Sequence, residues 1–229
     1  MRRGLLLLVV GVLMAVIAAD VVVVDGLVRL IVFVGVVLAV AGLGALAYRH
    51  QAFRFVALVV VLVALVVALT PVRTDGETLQ RRMVEEARHF EGVAYVWGGE
   101  SRAGIDCSGL PRSARRAAAL ALSVTNLDPA LARAALLDWF FDVPAKGLLA
   151  GRGTTRVAEA ARAGLLPRER LRPGDLVCTS DGTHVMMLLD DHHVIEADPL
   201  PGRVIVASMD DLANPWMTKP VVVVRFAAP

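Results

Sequence analysis

The sequence has few cysteines and little excess charge of either sign, and both shortages exclude classes of protein. Only Cys107 and Cys178 occur among 229 residues, whereas a domain built on disulfides has a much higher cysteine content. Lysine and arginine together number 24 against 22 aspartates and glutamates, which gives a net charge of +2. The sequence contains no basic patch typical of nucleic-acid binding. We therefore expect two free thiols, or one reactive and one buried cysteine, and no nucleic-acid partner.

Charge is scarce in the first seventy residues, which consist largely of long valine, leucine and alanine runs. Three apolar spans are predicted there, at residues 4–24, 27–48 and 53–70. Each is close to the roughly 20 residues that a helix needs to cross a bilayer. The few charged residues are Arg2, Arg3, Asp20, Asp25, Arg29, Arg49 and Arg54. Residues 1–70 are therefore predicted to be a transmembrane segment, and residues 71–229 a separate domain.

The positions of the arginines predict how this segment is oriented. Arg2 and Arg3 precede the first span, and Arg49 and Arg54 lie around the turn between the second and third. Positive ends stay in the cytoplasm, so three crossings place residues 71–229 outside. Alternatively, residues 1–19 are a cleaved signal peptide, and two crossings give the same location. Both interpretations predict a protein of the cytoplasmic membrane with an extracytoplasmic C-terminal domain.

The C-terminal domain has helical patterns first and strand patterns afterwards. Helices are predicted at about residues 75–91, 113–122, 128–141 and 155–163, and the first is preceded by a capping-box pattern at Thr74 and Glu77. From Leu171 onward, five short apolar runs separated by glycine, aspartate and proline predict antiparallel strands. This order is typical of an α+β domain.

Three residues of this domain could together perform nucleophilic chemistry. Cys107 lies at the start of a helical pattern, where free backbone N–H groups are expected to lower the pKa of the thiol. A thiolate nucleophile needs a base that later protonates the leaving group. His184 begins an apolar strand, and Glu196 is a charged residue within the next strand. We interpret Trp97 and Cys178 as packing residues, and a surface carboxylate on an edge strand explains Glu196 nearly as well.

Four motifs occur in a fixed order: Tyr95-x-Trp97-Gly98-Gly99, Gly104-Ile105-Asp106-Cys107-Ser108-Gly109-Leu110, Pro173-Gly174-Asp175-Leu176 and His184-Val185. This set resembles the NlpC/p60 family of papain-like cell-wall cysteine peptidases, from about residue 75 to residue 209. The resemblance implies helices packed on an antiparallel sheet, with the cysteine at a helix N-terminus facing the strand of the histidine. It also implies that a bacterial enzyme of this kind cuts peptidoglycan stem peptides, with no metal and no other cofactor.

The resemblance assigns roles to individual residues. Cys107 matches the nucleophile, His184 the general base and acid, and Glu196 the third catalytic position, where the family most often has histidine. Tyr95 matches a tyrosine that assists substrate binding or oxyanion stabilisation. Asp106 and Ser108 match positions that grip the amino end of a stem peptide. The expected reaction passes through a thioester on Cys107.

Departures from the family pattern motivate two alternatives. Glu196, Pro111 and a long segment at residues 120–171, a candidate cap over the cleft, are compatible with an inactive wall-binding scaffold. The membrane segment is compatible with thiol-dependent acyl or amide transfer on a lipid. The run Asp190-Asp191-His192-His193 falls at a predicted turn, so we interpret it as turn residues rather than a metal site.

Overall fold

The computed structural model describes residues 2–19, 26–48 and 50–228. The chain divides into two compact units, Met1–Pro71 and Val72–Pro229, which are described separately below.

The N-terminal unit consists of helices α1 (Arg2–Ala19), α2 (Gly26–Ala47) and α3 (Gln51–Leu69) in its described residues. Helices α2 and α3 are long and apolar enough to cross a membrane, and α1 contains a shorter apolar stretch, Gly4–Met14. The predicted spans at 27–48 and 53–70 match α2 and α3 closely. The end of the span predicted at 4–24, together with Asp20, Asp25 and Arg49, lies outside the described residues.

Glycines bring α1 and α2 into close contact. A Cβ atom on Gly11 would lie 2.4 Å from the backbone nitrogen of Ala39, and one on Gly42 would lie 2.4 Å from that of Leu8. No side chain fits at these distances, so the two backbones approach as closely as glycine allows. Small residues at helix contacts are the usual means of packing apolar helices in a membrane.

The helices of the C-terminal unit are α4 (Gly76–Arg88), α5 (Gly109–Thr125), α6 (Pro129–Phe140) and α7 (Ala145–Leu149). Asp75 caps α4, because its carboxylate accepts a hydrogen bond of 2.8 Å from the backbone N–H of Thr78. The predicted cap at Thr74 is wrong, since its hydroxyl instead donates to the carboxylate of Asp128 at 3.0 Å. Helix α5 begins earlier than predicted, and Pro111 lies in its first turn, where the missing N–H costs no hydrogen bond.

A six-stranded antiparallel sheet forms the other half of this unit. Its strands are β3 (Thr154–Ala160), β4 (Leu176–Thr179), β5 (Val185–Leu188), β6 (His193–Asp198), β7 (Arg203–Ser208) and β8 (Val221–Phe226), in the spatial order β3-β8-β4-β5-β6-β7. A hairpin of β1 (Glu100–Ser101) and β2 (Gly104–Ile105) lies before α5. The predicted α+β class is confirmed. The meander holds from β4 to β7, but β8 returns to pair with β4 and β3.

The helix predicted at residues 155–163 is wrong, because this segment contains strand β3. Thr154, Thr155 and Val157 are β-branched and suit an extended backbone. Six of the residues of β3 pair with β8, so the sheet supplies the backbone partners that a helix would otherwise provide internally. Strand β3 therefore extends the sheet beside β8, and it continues into a 3-10 turn at Ala163–Leu165.

Alternating side chains divide the core between the two faces of the sheet. One cluster contains Cys178 and Val185 from the strands together with Cys107 and Leu110 from the start of α5. The other cluster contains their strand neighbours, such as Met186. The period of two along each strand produces this division. The start of α5 thus packs on the face of the sheet to which β5 contributes Val185.

Candidate active site

Cys107 lies where the start of α5 meets the start of β5. It directly precedes Ser108, the N-cap residue of α5, and its side chain is buried. The backbone N–H of Val185 faces the Cys107 sulfur closely enough to lower the pKa of its thiol. Because Val185 follows His184 in the chain, the predicted nucleophile and the predicted base belong to the same junction.

The carboxylate of Asp106 builds the turn that holds this cysteine. Its Oδ1 atom accepts hydrogen bonds from the Ser108 N–H at 2.9 Å, the Ser108 hydroxyl at 3.0 Å and the Gly109 N–H at 2.6 Å. Its Oδ2 atom accepts one from the Gly98 N–H at 2.8 Å. Gly109 allows the two segments to touch, since a Cβ there would lie 2.3 Å from the Gly99 carbonyl oxygen. Asp106 therefore fastens the loop before β1 to the first turn of α5.

The predicted lowering of the thiol pKa at the helix start is wrong. Burial raises the pKa of Cys107 to about 11, and the negative charge of Asp106 contributes in the same direction. Hydrogen bonds from the N–H groups of Val185 and Ser108 lower the pKa, but by less. The N–H groups of Ser108 and Gly109 also donate to the Asp106 carboxylate, so the helix terminus mainly stabilises that anion. The thiol is consequently protonated at neutral pH.

His184 and Glu196 form a buried pair next to this junction. The distance between His184 Nε2 and Glu196 Oε2 is 2.6 Å, and the two residues are 1% and 0% exposed. The backbone N–H of His184 donates to the hydroxyl of Thr179 at 3.0 Å, which fixes the start of β5. The interpretation of Glu196 as a surface carboxylate on an edge strand is wrong, because β6 lies between β5 and β7. A buried carboxylate in this position can hold the imidazole tautomer and stabilise the imidazolium.

Two further residues contact this pair, and the sequence patterns did not reveal them. Asn214 donates its side-chain N–H to Glu196 Oε1 at 2.7 Å. The indole of Trp216 stacks on the imidazole of His184, with ring centroids 4.2 Å apart and planes 17° apart. Both lie in the loop at residues 209–220, between β7 and β8. The only local signal was an asparagine and a tryptophan on either side of Pro215, which also suits an ordinary turn.

Comparisons with known proteins identify the family of this chain. The sequence model of the NlpC/P60 family matches residues 92–225. The chain belongs to the NlpC/P60 family. Members of this family are typically cysteine peptidases that hydrolyse peptidoglycan. No curated protein gives a significant match to the NlpC/P60 chain.

Solved NlpC/P60 structures resemble the chain at low identity. NlpC1 from Trichomonas vaginalis is 21% identical with a TM-score of 0.45, over 68% of this chain and 46% of that protein. The P60 domain of an antigen from M. avium subspecies paratuberculosis is 22% identical with a TM-score of 0.42, over 67% of this chain and 98% of that domain. The peptidoglycan hydrolase RipB from Mycobacterium tuberculosis is 22% identical with a TM-score of 0.42, over 68% and 69%. The chain thus spans less than half of the Trichomonas protein.

The tyrosine and the tryptophan of the first NlpC/P60 motif have different surroundings. Burial, together with the neighbouring groups Cys107, Asp106 and Asp198, raises the pKa of the Tyr95 phenol to about 12. Tyr95 is therefore a neutral hydroxyl close to the cysteine. Trp97 was interpreted as a core residue, and this is wrong because it is 78% exposed. It lies beside the turn residue Gly98, whose φ of 74° only glycine adopts readily.

The run Asp190-Asp191-His192-His193 lies at the turn between β5 and β6. The Asp190 carboxylate accepts hydrogen bonds of 2.9 Å from the backbone N–H groups of His192 and His193. It also lies 2.9 Å from the ring nitrogen Nδ1 of His193. These contacts agree with the interpretation of the run as turn residues.

Proposed function

We propose that this NlpC/P60 chain is a membrane-anchored cysteine hydrolase that cleaves peptide bonds in peptidoglycan stem peptides. The observation that carries the proposal is the buried 2.6 Å contact between His184 and Glu196, next to Val185, whose backbone N–H lowers the pKa of Cys107. Burying an imidazole and a carboxylate costs free energy even when the two are paired. A catalytic role explains why such a pair is present despite this cost. For packing alone, apolar side chains would fill the position without it.

The proposed reaction moves one proton between Cys107 and His184. Glu196 engages Nε2 of the imidazole, so Nδ1 is the nitrogen that takes the proton from the thiol. Because the pKa of the thiol is raised to about 11, this transfer accompanies the attack of sulfur on the peptide carbonyl carbon. The imidazolium then gives the proton to the departing amine as the C–N bond breaks, leaving a thioester. Water, deprotonated by His184, attacks the thioester carbonyl, and the thiol leaves with that proton.

Tyr95, Asp106 and Ser108 support this reaction in the proposal. The Tyr95 hydroxyl keeps its proton at neutral pH, so it can donate a hydrogen bond to the oxyanion or the substrate. Asp106 and Ser108 are both largely buried and bonded to each other, with 3.0 Å between the Ser108 hydroxyl and Oδ1 of Asp106. We propose that they fix the rim of the site against which the amino end of the peptide lies.

We propose that α2 and α3 cross the cytoplasmic membrane and that the NlpC/P60 unit lies on its outer side. The apolar length of both helices supports the anchor, and the arginine distribution supports the orientation. Protease added to intact spheroplasts should remove the C-terminal unit while leaving a cytoplasmic marker protein whole. Protection of this unit until the membrane is permeabilised would reverse the orientation.

The direct test is hydrolysis of purified muropeptides by the full chain in lipid nanodiscs, with products identified by mass spectrometry. The Cys107→Ala variant should form no product, and the Cys178→Ala variant serves as a matched control because this thiol lies in the core of β4. Cleavage that persists without Cys107, or no cleavage by the wild type against any muropeptide, contradicts the proposal. Products with a stem-peptide acyl group on a lipid amine or alcohol would indicate the transferase alternative.

One observation favours the scaffold alternative: Cys107 is only 7% exposed, and its pKa is raised to about 11. Iodoacetamide labelling at pH 7 separates the two functions, because a hydrolase needs a cysteine that His184 can activate. In a hydrolase the His184→Ala variant should label much more slowly than the wild type. Equal, slow labelling of both proteins would favour the scaffold.

A further inference from the structure

The loop at residues 209–220 contacts the His184–Glu196 pair through two side chains, as described above. Asn214 uses both ends of its amide: Nδ2 donates to Glu196 Oε1 at 2.7 Å, and Oδ1 accepts the backbone N–H of Trp216 at 3.0 Å. The orientation of the amide is therefore fixed by a donor on one side and an acceptor on the other. Both carboxylate oxygens of Glu196 are occupied, one by the asparagine and one by the histidine.

Trp216 is held in place independently of the imidazole that it covers. Its indole N–H donates to Asp198 Oδ1 at 3.1 Å, and Asp198 lies two residues after Glu196 on β6. The ammonium of Lys219 lies 4.8 Å from the indole centroid and pairs with Asp181 at 3.2 Å. Asp181 belongs to the turn that leads into His184. The loop is thus fastened to β6, which carries Glu196, and to the turn that leads into His184.

These contacts restrict how the imidazole and the carboxylate can move. A ring stacked at 4.2 Å prevents the imidazole from turning about its side-chain bonds without displacing the indole. The indole also helps to keep water from the 2.6 Å contact, and a charged hydrogen bond is stronger where the local dielectric constant is low. Nε2 is consequently held on Glu196, which leaves Nδ1 as the ring nitrogen that does not face the carboxylate.

We propose that Asn214 and Trp216 are positioning residues that keep the His184–Glu196 pair in its reactive arrangement. The proposal deepens the proposed hydrolase function and rests on it for its catalytic meaning. In the proposed reaction neither residue transfers a proton or bonds to the substrate, so both act through His184 and Glu196. Asn214 orients the carboxylate, and Trp216 fixes and shields the imidazole.

The ring N–H of His184 provides a direct measurement. We would record the imidazole signals of the full chain, labelled with 15N-histidine in detergent micelles, and assign those of His184 with a His184→Gln variant. The wild type should show a downfield Nε2–H signal that exchanges slowly with water. Trp216→Ala and Asn214→Leu should lose this signal or make it exchange at least tenfold faster. Trp216→Phe, which keeps a stacked ring, should retain it.

Leu212→Ala is the matched control, because Leu212 lies in the same loop and is 60% exposed. It should leave the signal unchanged. If the Trp216→Ala and Asn214→Leu variants keep the slowly exchanging signal while their thermal stability falls, the two residues have only a structural role and the proposal is overturned. A wild type with no protected Nε2–H signal would also overturn it.

Turnover separates this inference from the hydrolase proposal. With muropeptides, Trp216→Ala should lower kcat by about 10- to 100-fold with little change in KM, as expected when a reacting group is slightly misplaced. Trp216→Phe should recover most of that loss. A change confined to KM would contradict positioning. If the wild type cleaves nothing, the hydrolase proposal fails, whereas the NMR comparison still decides whether the loop orders the pair.

Discussion

Replacing Asp106 by asparagine separates the two effects of its carboxylate, on the turn and on the thiol. Three of the four hydrogen bonds to this side chain go to Oδ1, and one goes from Gly98 to Oδ2. An asparagine can place its oxygen at the Oδ1 position and keep the three bonds to Ser108 and Gly109. Its NH2 group then faces the Gly98 N–H, so two donors oppose each other.

The cost of this substitution follows from the lost bond. Leaving a donor of this part-buried kind without an acceptor costs about 1–3 kcal/mol. In a protein of this size 1 kcal/mol lowers Tm by about 2–4 °C, so a fall of about 2–12 °C is expected. The substitution also changes the pKa of the Cys107 thiol. Removing the negative charge of Asp106 lowers the pKa of Cys107 from its raised value of about 11.

The assay is iodoacetamide labelling of Cys107 as a function of pH, combined with thermal unfolding of the same samples. A His184→Ala background removes the base, so that the labelling midpoint reports only the thiol. Asp211→Asn, in the loop at residues 209–220, is the control for the loss of one exposed carboxylate. The Asp106→Asn midpoint should lie below that of the background and of the control. An unchanged midpoint would refute the contribution of Asp106 to the raised pKa, and an unchanged Tm would refute the role of the Gly98 bond.

Three further predictions concern the buried charges and thiols. Glu196→Gln should lower kcat for muropeptides by roughly 10²- to 10⁴-fold with a similar KM, because the imidazolium loses its carboxylate; unchanged turnover would remove Glu196 from the mechanism. Burial raises the pKa of Cys178 to about 12, above an unfolded value of about 8.5–9. The buried thiol therefore contributes fully to the free energy of unfolding below about pH 8.5, and this contribution is lost as pH rises. Between pH 7 and pH 10 the wild type should therefore lose about 1.5–2 kcal/mol more unfolding free energy than Cys178→Ala. An equal loss in the two proteins, measured by denaturant unfolding at both pH values, would contradict this. Arg112→Met should lower the free energy of unfolding in urea by about 3–5 kcal/mol, since Arg112 pairs at 2.5 Å with the buried Glu100. A loss under about 1 kcal/mol would mean that Arg116, which pairs with Glu100 at 2.8 Å, compensates fully.

The sequence was most informative where a motif is local. The run around Cys107 and the position of His184 before an apolar strand predicted the junction of α5 and β5. The α+β class followed from the order of the patterns. The boundaries of α2, α3 and α6 also followed from local apolar runs and from Pro129.

Features that depend on distant partners could not be predicted. Strand β3 combines β-branched residues with alanine, arginine and glutamate, which suit a helix, and its pairing with β8 decides for the extended form. The Thr74 hydroxyl leaves the helix start because Asp128, far along the chain, accepts from it. The pKa of Cys107 depends on how deeply the fold buries it, which no helix-start pattern contains. Asn214 and Trp216 became recognisable only when the fold placed their loop on His184.

The position of β8 between β3 and β4 has a consequence for how the chain folds. This strand is synthesised after every other strand of the sheet, yet it joins β3 to the remaining four. Its partner residues in β3 are more than sixty positions earlier, and such distant pairings form slowly. Before β8 joins the sheet, β3 has no paired strand and one edge of β4 is unpaired. The loop at residues 209–220 precedes β8 directly, so Asn214 and Trp216 are expected to reach the His184–Glu196 pair only as β8 closes the sheet.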